Sequence, residues 1–227
     1  MQLTLISKKL ETKDAMSFIF HPEKPMTWRA GQYLHYFLEH PHPDSRGTER
    51  YFSIASAPHE KNVMVTTRLA DQGSSFKSAL QRFEPGAKIR ADGPEGDFVV
   101  EDAAKDFVFI AGGIGITPFR SVLLDLDHRR QPIKVQLLYA NRTDDFPYKI
   151  ELENLAAKQS GLRIDYIVSP RRLDEETIPK SVPDLVGPLF YVSGPEPMVE
   201  ALEKLLQKIG VPKGHIKTDY FPGYDWP

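Results

Sequence analysis

The chain has 227 residues, 41% hydrophobic and 26% charged, with a formal net charge of -2. That length suits one large or two small domains, and the balanced charge lacks the basic face or stripe that nucleic-acid binding requires. There is no cysteine, which excludes disulfides, thiolate nucleophiles and cysteine-held zinc or iron–sulfur clusters, so redox chemistry here needs a bound organic cofactor.

The first residues, M-Q-L-T-L-I-S-K-K, lack the basic segment and apolar core of a secretory signal. No apolar run approaches the ~18 residues of a membrane span. A cytoplasmic protein is the expectation. Up to about residue 100 the pattern is one of short strands broken by Pro, Gly, Asp and Asn, as in a small barrel. Strands are expected at 3–10, 16–20, 33–38, 51–55, 63–69 and 88–91, with a polar loop at 41–48. One helix interrupts them, capped by Ser74 or Ser75, with Phe76, Leu80 and Phe83 on one face.

After the polar segment 101–106, strands alternate with helices, the signature of a parallel sheet. Strands are expected at 107–111, 135–139, 164–168 and 189–192, and helices at 119–129, 149–158 and 196–209. The last helix carries an apolar stripe of Met198, Leu202, Leu205, Leu206 and Ile209, stopped by Gly210 and Pro212.

Two stretches carry chemistry. Residues 111–121 read A-G-G-I-G-I-T-P-F-R-S and follow an apolar strand. Gly112, Gly113 and Gly115 allow a tight turn, Thr117 is the expected N-cap and Pro118 the expected first helical residue. Such a turn is either an anion site suited to a pyrophosphate or a bare strand-to-helix connection. The second stretch is Arg50-Tyr51-Phe52-Ser53. An arginine can hold a pyrophosphate, an aromatic ring can lie on a planar heterocycle, and a serine can bond a ring nitrogen. Together they meet the needs of a flavin. Gly73, Ser74 and Ser75 open the first helix and offer further amides to an anion.

In order along nearly the whole chain, these segments resemble the ferredoxin–NADP⁺ reductase superfamily. Its Arg-x-Tyr-Ser signature matches residues 50–53, with Phe52 in place of the tyrosine, and its G-P-x-G-x-F turn matches 93–98. The G-G-x-G-x-T-P segment matches 112–118. The Cys-Gly-Pro segment matches Ser193-Gly194-Pro195, with serine replacing cysteine and Met198 in its usual place. The tail from Asp219 through Phe221 to Tyr224 matches an acid–x–Phe–x–Gly–Tyr ending.

The resemblance implies a two-domain fold. An N-terminal antiparallel β-barrel with one small helix (residues 1–101) would bind FAD, and an α/β parallel-sheet, Rossmann-like domain (residues 102–227) would bind NADPH or NADH. It implies hydride transfer to the flavin, with Ser53, Ser193 and Asp219 as catalytic residues. The cofactor-binding set is Arg50, Tyr51, Phe52, Ser53, Thr67, Gly73, Ser74, Ser75, Gly112, Gly113, Gly115, Thr117, Pro118, Arg142, Gly194, Pro195, Met198, Phe221 and Tyr224. No metal is required. Asp219 is expected either to supply protons or orient Ser193, or to be a solvated carboxylate, and the tail aromatics either to cover the flavin or to cap the sheet. Arg142, Arg171 and Arg172 favour NADPH, whereas the nearby Asp144 and Asp145 suit NADH. The scattered histidines, His40 and His42 among them, are read as surface residues. A monomer is expected, passing electrons to a separate acceptor such as ferredoxin, flavodoxin or an oxygenase component. The alternatives are a reductase of free flavin and a non-catalytic electron-transfer or regulatory subunit.

Overall fold

The computed structural model describes residues 1–69 and 73–221. Its first part is a six-stranded antiparallel sheet of β1 (Gln2–Thr12), β2 (Ala15–Pro22), β3 (Tyr33–Phe37), β4 (Glu49–Ser53), β5 (Val63–Arg68) and β6 (Lys88–Glu95), in the order β4-β3-β6-β1-β2-β5. Alternation drives it: Leu3, Leu5, Phe18, Phe20, Leu34, Tyr36, Val63 and Val65 point to one buried core. The sheet curls until its edges approach, where Ala55 N–H donates to Met64 O at 2.8 Å. Helix α1 (Ser75–Gln81) closes the core with Phe76 and Leu80, and Ser74 caps it by accepting from Lys77 N–H.

The second part is a parallel sheet of β7 (Phe107–Gly112), β8 (Val135–Asn141), β9 (Leu162–Val168), β10 (Leu189–Pro195) and β11 (Ile216–Phe221), ordered β11-β10-β7-β8-β9. Helices α2 (Ile116–His128) and α3 (Lys149–Lys158) cover one face through Phe119, Leu123, Leu152 and Leu155. On the other face lie α4 (Thr177–Ser181) and α5 (Glu196–Lys208), packed through Ile178, Val199, Leu202 and Leu206. Both faces being covered explains why β7 is apolar throughout. The core beneath α2 also takes in Ala30, Ala55, Met64 and Phe98, so α2 is the wall between the two sheets.

The fold class read from the sequence is the one observed, with differences in detail. Strand β4 begins and ends two residues earlier than expected, because Ile54 and Ala55 leave the ladder to bond Gln32 and Met64. β11 and α4 were not anticipated as elements. Thr117 is not an N-cap: a 3-10 turn at Gly113–Gly115 runs straight into α2, Gly115 takes the cap position, and the Thr117 hydroxyl donates back to Ile114 O at 3.1 Å. Pro118 is the third helical residue rather than the first, where a missing N–H still leaves no acceptor without a donor. Among the described residues, no helix is long and apolar enough to cross a membrane.

Candidate active site

The parallel sheet changes winding direction between β7 and β10, because the chain runs outward through β8 and β9 and then returns to β10 and β11. Ligand crevices form outside the carboxyl ends of strands at such a switch point. Here those ends are Gly112 and Ser193-Gly194. The glycines are required by close approach: a Cβ on Gly115 would lie 2.1 Å from the Ser193 carbonyl oxygen, and one on Gly112 would lie 2.2 Å from Met198 Sδ. The 112–118 and 193–198 segments are thus one structure, and Gly113 adopts φ +53° within it.

Facing this switch point is a cleft of about 390 Å³ between the two sheets. Phe52, half-buried between Tyr36 and Phe76, forms an aromatic wall, and Ser53, Thr66, Thr67 and Thr117 also line the cleft, the Thr66 hydroxyl being bonded to Ser17 and Tyr148 and that of Thr117 to Ile114 O. Ile114 and Phe221 line the side nearer the second sheet, while Arg46, Arg50 and Lys77 bring cationic groups to the lining. Tyr51 and Glu49, which alternate with Arg50 and Phe52 along β4, also line the cleft, and the exposed Tyr51 ring stacks on His35 with centroids 4.1 Å apart. An aromatic wall, hydroxyls and three cations form a donor set that fits a planar heterocycle carrying phosphates.

Three of the predicted residues converge across the sheets. Ser193 and Asp219 are register partners on β10 and β11, and the Ser193 hydroxyl donates to Asp219 Oδ2 at 3.3 Å. Ser53 from β4 lies near enough to the same carboxyl to favour its charged form. Burial pushes Asp219 up to about 7, although both serine hydroxyls pull the other way. Ser53 and Ser193 are themselves buried. A carboxyl poised near neutral pH beside a serine hydroxyl can hold a proton or release it.

Arg50 is engaged more locally than its motif suggests. Its Nη1 donates to the carbonyls of Arg46, Gly47 and Glu49, and its Nη2 to Asp44 Oδ1 at 3.3 Å. Asp44 also accepts from Ser75 N–H at 2.8 Å, so the backbone amide expected to serve an anion meets one from within the chain. Burial disfavours the Asp44 charge, but the donors Ser75 and Arg46, with Arg50 beside them, outweigh it and hold the group at about 2. His40 is a correction to the surface reading: Nε2 bonds Ser75 Oγ at 2.9 Å and Nδ1 bonds Leu38 O at 2.7 Å, which ties the loop to α1. Gly73 lies just before this cap. Tyr224 is outside the described residues.

A second cleft of about 340 Å³ opens at the ends of β8 and β9, lined by Arg142, Arg171, Arg172 and Met198 among others. Asp145 accepts from Lys13 N–H at 3.0 Å and so faces the first sheet. Sequence reasoning missed Arg46, Lys77 and Thr66 in the first cleft; the basic residue within the polar loop 41–48 was the available signal for Arg46. Among the described residues, no group of three His, Asp or Glu side chains is placed to hold a metal ion.

Comparison with known proteins adds independent findings. Residues 109–204 match the family described as oxidoreductase NAD-binding domain. The chain is 28% identical over 225 residues to ferredoxin–NADP reductase B of Sorangium cellulosum, covering 91% of this chain and 90% of that one. It is 29% identical over 195 residues to the reductase component DmpP of phenol 2-monooxygenase from Pseudomonas sp., covering 79% of this chain but only 53% of the relative. The solved structure of the cytochrome P450 reductase GcoB of Amycolatopsis shares the fold, with a TM-score of 0.83 and 22% identity over 98% of this chain and 70% of the other.

Proposed function

Because the chain belongs to the ferredoxin–NADP⁺ reductase superfamily of FAD-dependent NAD(P)H oxidoreductases, we propose that it takes a hydride from NADPH and hands the electrons to a separate protein acceptor, either a small electron carrier or an oxygenase component. Residues 1–101 hold the flavin and residues 102–227 the coenzyme. Bound FAD supplies the conversion of a two-electron donor into one-electron steps, which side chains cannot perform. The observation that carries the reading is the cleft at the switch point, where Arg50, Phe52 and Ser53 of one sheet face Ile114 and Thr117 of the glycine turn, with the hydrogen-bonded pair Ser193 and Asp219 on the neighbouring strands.

Each residue has a definite task in this proposal. Phe52 packs along the ring system, and Thr67 bonds its polar edge. Arg46, Arg50 and Lys77 balance the phosphate charge. The turn at Gly113–Gly115 and the start of α2 receive the coenzyme pyrophosphate at a helix N-terminus. Ser193, small and buried, leaves room for the nicotinamide, and Gly194 permits close approach. Asp219 holds a proton at its carboxyl and orients Ser193.

NADPH is favoured over NADH by the three arginines of the second cleft, Arg142, Arg171 and Arg172, since a 2′-phosphate needs cations there. A second reading, in which flavin exchanges as a substrate, is favoured by the local engagement of Arg50 with Asp44. One experiment separates them. The purified protein is desalted, its visible spectrum recorded, and its oxidation of NADPH and NADH measured with ferricyanide. Retained FAD with NADPH preference supports the first reading; a colourless protein that needs added flavin supports the second; a protein inactive with either overturns both.

A further inference from the structure

The helix that starts at the glycine turn also grips the other half of the site. One turn beyond Thr117, Arg120 and Ser121 leave α2 and reach the segment just after β4. Ser121 Oγ donates to Ser56 O at 2.7 Å, and Arg120 Nη1 donates to Ala55 O at 2.9 Å. Trp28 Nε1 donates to the same Ser56 carbonyl at 3.2 Å.

The remaining guanidinium donors go to two carboxylates. Glu60 accepts from Nη1 at 2.8 Å and from Nη2 at 3.1 Å, and Glu151 accepts from Nε at 2.6 Å and from Nη2 at 2.8 Å. All the N–H donors of the fork are therefore used. Glu60 in turn accepts from Ala57 N–H at 2.7 Å, so it fixes the same segment that Arg120 holds. The Arg120 side chain is 7% exposed.

A buried ion cluster is weak evidence for stability, because desolvation offsets most of its attraction, and apolar residues would hold two faces together as well. A planar fork with fixed donors supplies something apolar contacts do not, namely a defined angle. We propose that Arg120 and Ser121 are positioning residues that set the register between Ser53 and the glycine turn, and so the separation of the two reacting ligands. The proposal rests on the reading that Ser53 faces the flavin and that the turn holds the coenzyme pyrophosphate. Ala55 is two residues from Ser53 and Arg120 three from Thr117, so the clamp lies close to both halves. Hydride transfer is steeply sensitive to such spacing.

The absence of native cysteine allows a direct measurement. Leu10→Cys on β1 and Lys204→Cys on α5 give two unique spin-label sites, one on each sheet unit. Their distance distribution is recorded by pulsed electron resonance in the apoprotein, with Arg120 intact and with Arg120→Lys. The substitution is expected to at least double the width of the distribution. In the FAD-loaded protein it is expected to slow reduction by NADPH roughly tenfold or more, while FAD content and the NADP⁺ dissociation constant stay within about twofold. An unchanged width, or a broadened one with unchanged reduction rate, overturns the proposal. Should Arg120→Lys fail to fold, Ser121→Ala removes one hydrogen bond and carries the same readouts with a smaller broadening. A chain that binds neither FAD nor NADPH overturns the proposed function instead, and the distance measurement, made without ligands, still decides on the clamp.

Discussion

Asp219→Asn should make the apoprotein more stable in mildly alkaline solution and leave it unchanged in acid. Burial lifts this carboxyl from 3.8 to about 7 in the folded chain. Between those values the native state binds more protons than the unfolded state, so stability falls as pH rises through that window. Above it the full difference applies, about 4 kcal/mol of folding free energy. Asparagine does not ionise and still accepts the Ser193 hydrogen bond. The variant should therefore exceed wild type by about 2–4 kcal/mol at about pH 8 and match it near pH 4. Urea unfolding of both apoproteins across that range gives the difference directly, because every other titrating group cancels. A difference that does not change with pH would refute the claim that the folded chain disfavours ionisation of this carboxyl.

Other substitutions probe the rest of the site. Ser53→Ala should slow flavin reduction by NADPH roughly ten- to hundredfold while changing stability by about 1 kcal/mol; stopped-flow reduction at the wild-type rate would contradict its assignment. Gly115→Ala places a methyl group against the Ser193 carbonyl oxygen, 2.1 Å away and part of the backbone. It should destabilise by about 2–3 kcal/mol and weaken NADP⁺ binding, as read by thermal unfolding and by titration. Arg171→Ala combined with Arg172→Ala should raise the KM for NADPH about tenfold and leave that for NADH unchanged; equal effects on both would remove the argument for a 2′-phosphate site.

The fold was legible wherever a local pattern and a local cause coincided. The run at 107–111 is apolar on both faces because helices cover both, and the stripe of α5 follows from a single helix packing on a single face. Strand β11 was not legible: it lies at a sheet edge, pairs only with β10, and its residues alternate between half-buried and exposed without a strong apolar signal. Thr117 carried a capping pattern, but the 3-10 turn before it supplied helical geometry earlier than the pattern implied. The convergence of Ser53, Ser193 and Asp219 was expected only by resemblance, since no spacing along the chain indicates that β4 faces β10. Arg120 was invisible for the same reason. Its two carboxylates lie 60 and 31 residues away, and only the tertiary fold brings them together. Arg50 shows the converse, a motif residue whose partners turn out to be its own loop.

The central claim is that one cleft brings NADPH and FAD together for hydride transfer. Its most direct test is an anaerobic titration of the FAD-loaded protein with NADPH, followed by the visible flavin absorbance. One equivalent of NADPH should bleach one equivalent of bound FAD, and the process should be slowed in Ser53→Ala. A flavin that stays bound and oxidised in excess NADPH would contradict the account.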